Sequence, residues 1–149
     1  MPLTNNAPVL VQNRPGFRII VLITGSGLFI LSLFFNCFCT DKGCRPSVDA
    51  LVLGWAELFE GVFAWLANPL LIVSWILLGM NKRGGLILSL VASLLSLSFL
   101  FCHTIMEDEA GNMGAIKNLA PGYWLWVAGC IVTYVGILVV RVMNRKVTG

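Results

Sequence analysis

The chain has 149 residues and a formal charge of +3 at neutral pH; 58% of its residues are hydrophobic and only 11% are charged. An average globular domain carries about 25% charged residues, so the composition speaks against an ordinary soluble domain. One domain fits this length, with little left over for a separate catalytic unit.

Four stretches carry no Asp, Glu, Lys or Arg: residues 19–40, 61–81, 84–106 and 118–140, which are 22, 21, 23 and 23 residues long. A helix needs about 20 apolar residues to cross a hydrocarbon core of roughly 30 Å. The expected fold class is therefore all-α: a polytopic membrane protein built as a four-transmembrane-helix antiparallel bundle over residues 17–141.

Residues 1–16 are polar and broken by Pro2, Pro8 and Pro15, and read as a disordered cytoplasmic arm. The first span covers about 17–38. It is longer than the 7–15-residue core of a signal peptide and no small-residue cleavage site follows it, so it reads as retained. A cysteine-rich loop comes next, with Ser47 as the expected N-cap and Asp49 in the first turn of the second span. That span, about 48–80, would measure about 50 Å as one helix. It should project or kink, and Asn68-Pro69 is where a kink would fall. Residues 81–85 form a hairpin turn into the third span, about 85–102. A loop over 103–121 contains Glu107, Asp108 and Glu109. It lacks the alternating oxygen ligands of a calcium loop and reads as solvated. The fourth span, about 122–141, opens with Pro121-Gly122-Tyr123-Trp124-Leu125-Trp126, an expected interfacial aromatic belt. Residues 142–149 form a basic tail.

The charges set the orientation. Arg14, Arg18, Lys82, Arg83, Arg141, Arg145 and Lys146 fall on one side of such a bundle, and Lys42, Arg45 and Lys117 on the other. All seven acids (Asp41, Asp49, Glu57, Glu60, Glu107, Asp108 and Glu109) lie with the smaller basic set or at the membrane edge beside it. Basic short loops mark the cytoplasmic face, which places both termini there. Contact with anionic lipid accounts for the basic face, and no nucleic-acid partner is needed.

Transmembrane helices associate through small and polar residues. Gly54, Gly61, Ala64 and Asn68 extend a stripe that begins at Ala50 and passes Glu57, while Ser89, Ala92 and Ser96 continue one from Gly85. Gly129, Thr133 and Gly136 form a third stripe, and Gly25, Ser32 and Asn36 a fourth. Each is expected to pack against a neighbouring helix.

Cys37, Cys39, Cys44 and Cys102 all fall near the outer boundary, which suggests two disulfides of open connectivity. Cys130 reads as a packing residue inside the fourth span. Glu57 and Glu60 share a helix face, and His103 extends the third span to the same height, so the three form a candidate polar cluster. No zinc spacing, phosphate-binding loop, nucleophile elbow or catalytic triad occurs. The expectation is no catalytic residue, no metal and no cofactor.

Gly54-Trp55-Ala56-Glu57, Trp65-Leu66-Ala67-Asn68-Pro69 and Pro121-Gly122-Tyr123-Trp124-Leu125-Trp126 resemble segments of small four-span bacterial inner-membrane proteins. The resemblance implies a bacterial inner membrane and brings no activity or site residues with it. The lack of any Asn-x-Ser/Thr acceptor points the same way.

Together these features predict a non-enzymatic inner-membrane interaction protein. It would be an accessory subunit of a membrane complex or a toxin-immunity protein, meeting a membrane or periplasmic partner through its outer face. Two alternatives from other classes stand beside it. One is a small proton-coupled transporter using Glu57 or Glu60. The other is a membrane thiol-disulfide oxidoreductase, against which the Cys-x-Cys-x4-Cys spacing counts, since such enzymes carry a Cys-x-x-Cys pair.

Overall fold

The structure, a computed structural model, describes residues 15–106 and 112–146. The greater part of the expected arm and the acidic run 107–109 lie outside these residues. The elements run α1 (Pro15–Ser32), β1 (Asn36–Thr40), β2 (Gly43–Pro46), α2 (Ser47–Leu53), 3-10 turns at Ala56–Glu60 and Phe63–Leu66, α3 (Ala67–Gly79) and α4 (Gly85–Ser98). A 3-10 turn at Phe99–Phe101, β3 (Thr104–Met106), β4 (Met113–Ala115), β5 (Asn118–Leu119) and α5 (Pro121–Lys146) complete the order.

The all-α expectation is overturned. β1 pairs antiparallel with both β2 and β5, and β3 pairs with β4. The four-span bundle is overturned with it. Among the described residues one helical stretch, the 24 residues Pro121–Asn144, is long and apolar enough to cross a membrane, with mean hydropathy 2.1 over its most apolar 18-residue window. The apolar stretches Gly16–Ser32, Phe63–Gly79 and Gly85–Phe101 are shorter than the roughly 20 residues a crossing takes.

The physical reason is that a charge-free run is not a helix length. After Ser32 the chain leaves helix through three successive i to i−3 backbone bonds at Leu33, Phe34 and Phe35 and enters a strand. The turn Asp41-Lys42 joins paired Thr40 and Gly43, and Gly43 has φ +138°, where a side chain would be strained.

The expected second span is broken in the same way. α2 ends after Leu53, and the left-handed Gly61 (φ +83°) closes the first 3-10 turn. α3 then starts at Ala67, so Pro69 lies in a helix's first turn, where its missing N–H costs nothing. It sits at the beginning of a helix and not at a mid-span kink. Pro46, not Ser47, occupies the N-cap of α2, with Asp49 in the first turn as expected. At the far end α5 runs on to Lys146, so residues 142–146 of the expected tail are helical.

α1 packs along α5, α4 lies against both α3 and α5, and α3 and α4 form the expected antiparallel hairpin. Small residues join large apolar ones such as Phe29, Leu71, Leu78 and Ile137 in these contacts. Ser32, Ser74, Ser89, Ser96, Ala92, Thr133 and Cys130 are all within 1% of complete burial. The serines among them return their hydroxyls to carbonyls three residues back in their own helix. Thr133 donates to the Gly129 carbonyl, four residues back, and also accepts the Trp75 indole N–H at 3.0 Å. Gly25 has no room for a side chain, because a Cβ there would run into the Thr133 hydroxyl. Bulky apolar side chains point the other way: Ile19, Ile23, Ile76, Ile87 and Leu94 are all more than half exposed. Buried serines and Thr133 thus lie among buried Val21, Leu71, Leu78 and Ile137, and the outer faces of the helices are apolar as well.

Basic side chains gather at one end, while the sheet end carries both signs, with Lys117 paired to Asp41 at 3.4 Å. Arg18 donates to the Gly79 carbonyl at 3.2 Å, and Arg141 reaches the carbonyls of Lys82 and Arg83. These contacts gather the basic side chains where α3 ends and α4 begins. Asp41 and Asp49 lie at the sheet end, in the β1–β2 turn and the following helix.

A candidate cleft beside the small sheet

A narrow cleft opens between β1, α2, the 3-10 turns, α3 and α5. Its walls include Phe29, Leu33, Trp65, Phe99 and Trp126. Two indoles are fixed by their N–H groups: Trp65 donates to the Leu51 carbonyl at 2.7 Å and Trp126 to Asn68 Oδ1 at 2.9 Å. With those donors engaged, the rings offer the cleft apolar surface.

The polar lining comprises Ser32, Cys37, Arg45, Ser47, Glu57 and Asn68. Glu57 and Asn68 are 8% and 7% exposed. Ser47 is as deeply buried, at 7%, and its hydroxyl has no hydrogen-bond partner. It stands against Gly122, where a Cβ would strike both this hydroxyl and the Asn36 carbonyl. Glycine at that position lets the start of α5 close down on β1 and α2. Burial pushes the Cys37 thiol up to about 11; the Ser47 hydroxyl, nearby but outside hydrogen-bond geometry, partly offsets this. The Cys102 thiol is raised as well, by burial first and then by the negative charge of Glu57. Arg45 sits over the Phe38 ring at 5.9 Å.

The cleft takes in only part of the expected site. Of the cluster Glu57, Glu60 and His103, Glu57 alone lines it; Glu60 and His103 are exposed. Of the four outer cysteines, Cys39 and Cys44 are bonded across the β1–β2 hairpin. Cys37 and Cys102 are thiols, so one bridge takes the place of the expected two. Cys130 is buried at 0%, in keeping with a packing role. Ala64, Asn68, Ser89, Ala92 and Ser96 are buried contacts and Gly54 is half-buried against Trp65. Gly61 is exposed with nothing within 4 Å of a Cβ, so it is no helix contact. Asn36 is exposed too.

The aromatic belt divides. Trp124 faces outward at 51%, whereas Tyr123 is fully buried and donates to the Ser96 carbonyl at 3.0 Å. Sequence reading missed Ser47 and Trp126 as parts of one site. The available signal was Asn68, a polar residue on an apolar helix in need of a partner, with two indoles as candidate donors. The chain matches no protein family, no curated protein and no solved structure.

Proposed function

We propose that the chain is a non-catalytic interaction protein of a bacterial inner membrane, with α5 as its spanning element. One observation carries the reading: polar and small residues buried between helices whose outer faces are apolar. Ser74, Ser89, Ala92 and Thr133 share those contacts with buried Leu71, Leu78 and Ile137, while Ile19, Ile23, Ile87 and Leu94 stand outside. Lipid tails are as apolar as leucine, so helices in lipid gain from close small-residue contacts and pay nothing for bulky apolar surfaces turned outward. In water so much exposed apolar area would drive aggregation or call for a covering partner.

The face offered to a partner is the sheet end. Phe59, on the 3-10 turn after α2, is 82% exposed and meets Trp55 edge to face with ring centroids 6.3 Å apart. Aromatic pairs of this kind anchor interfaces, and the Cys39–Cys44 bridge stiffens the hairpin near them. An accessory subunit or an immunity protein would both use such a face.

Purification in mild detergent tests the proposal. A stoichiometric protein partner should accompany the wild-type chain and be lost from the Trp55→Ser/Phe59→Ser double variant. Recovery of the wild-type chain alone, under conditions that preserve other membrane complexes, would contradict the interaction reading.

A further inference from the structure

We propose that the cleft beside the sheet binds a neutral, single-chain amphiphile with a hydroxyl-bearing head, of the monoacylglycerol class. The head would lie against Ser47 and Glu57 and the chain along the aromatic wall. The inference goes beyond the interaction reading and does not depend on it.

The first argument is Ser47. A buried hydroxyl without a partner is costly, because it has given up its bonds to water, and among the described side chains this hydroxyl is the one in that condition. It lines the cleft, so a ligand hydroxyl there would supply the missing bond. The second is Glu57, whose carboxylate is buried in the same lining. A carboxylate accepts several hydrogen bonds at once. Glu57 can therefore receive a ligand donor in addition to the contact it already makes.

The third argument is charge. Arg45 shares the lining with Glu57, so the walls carry one charge of each sign and a neutral head is balanced there. An anion would meet the Glu57 carboxylate in a low-dielectric setting, where repulsion is strong. The last is the apolar part. Phe29, Leu33, Phe99 and the faces of the two fixed indoles enclose the ligand's chain. Leu53, lining the cleft and 54% exposed, gives that chain an apolar way out.

The full chain, in a detergent without hydroxyl groups, is titrated with monoolein, oleylamine or oleate and examined by native mass spectrometry. The expected result is one bound monoolein, saturable and held more tightly than either charged analogue. Ser47→Ala should weaken it about fivefold and Glu57→Gln about tenfold, the losses that follow from one neutral and one charge-assisted hydrogen bond. Glu60→Gln, outside the cleft, should leave binding unchanged. Circular dichroism shows whether the variants keep their helices, and the wild-type titration decides the matter if they do not. Non-saturable uptake, preference for oleylamine or oleate, or equal monoolein binding by folded Ser47→Ala and Glu57→Gln would each overturn the proposal. None of these results would touch the partner test above.

Discussion

Trp126 on α5 donates its indole N–H to the side-chain carbonyl of Asn68 on α3 at 2.9 Å, linking residues 58 positions apart at the wall of the cleft. Asn68 is 7% exposed, so the bond stands where water cannot readily replace either partner. Removing one member leaves the other unsatisfied, at about 1–3 kcal/mol. Asn68→Leu and Trp126→Phe should each destabilise by that amount. The double variant should cost less than their sum, because it leaves neither group stranded. Reversible unfolding of the four proteins measures the coupling, and strict additivity would show that the bond contributes nothing.

Two glycines of α1 should respond in opposite directions. A Cβ at Gly25 would collide with the Thr133 hydroxyl and lie 3.3 Å from Trp75 Nε1, whereas one at Gly27 would meet nothing within 4 Å. Gly25→Ala should destabilise by about 1–3 kcal/mol through overpacking. Gly27→Ala should stabilise by about 0.5–1 kcal/mol, the helical gain of alanine over glycine. Thermal unfolding of the two variants checks this. Equal effects would mean that α1 and α5 are not in close contact.

Labelling distinguishes one bridge from two. The unreduced, denatured chain should take up three maleimides, at Cys37, Cys102 and Cys130, and a reduced sample five. In the native protein Cys102, which is half-buried, should react before the buried Cys37 and Cys130. Peptide mapping reads the order. A single maleimide on the unreduced chain would restore a second bridge.

Cys37 also sets a pH dependence. Its thiol is raised from 9.0 to about 11 in the fold, so folding favours the protonated form. The stability this contributes is fully present below pH 9 and is lost as pH rises through about 11. Unfolding temperatures of the wild type and Cys37→Ala should therefore converge over that interval. A constant difference between pH 8 and 11 would contradict the burial of this thiol.

What the sequence made legible was contact chemistry. Ala64, Asn68, Ser89, Ala92 and Ser96 were readable as buried because small and polar residues recur at helical spacing where helices touch. The hairpin at residues 81–84 was readable from Asn81, Lys82, Arg83 and Gly84, and Asn81 does adopt a left-handed conformation, with φ 56°. Helix length was not legible. A run without charges fixes only where charge is absent, and Asn36–Thr40 satisfies that condition as a strand.

Gly61 shows the same failure within a stripe. Its spacing from Gly54 and Ala64 has meaning only if the helix is continuous, and it is not, because two 3-10 turns intervene between α2 and α3. The hairpin β1–β2 had a local signal in Asp41-Lys42-Gly43, a turn sequence with glycine at its close. The Ser47 site had none, since it depends on Gly122 bringing the start of α5 against α2.

The placement of the apolar outer surface in lipid is tested most directly by extracting membranes that contain the chain with alkaline carbonate. If α5 spans the bilayer as proposed, the chain should stay in the pellet and be released only by detergent. Release of the folded, monomeric chain into the carbonate supernatant would contradict that placement.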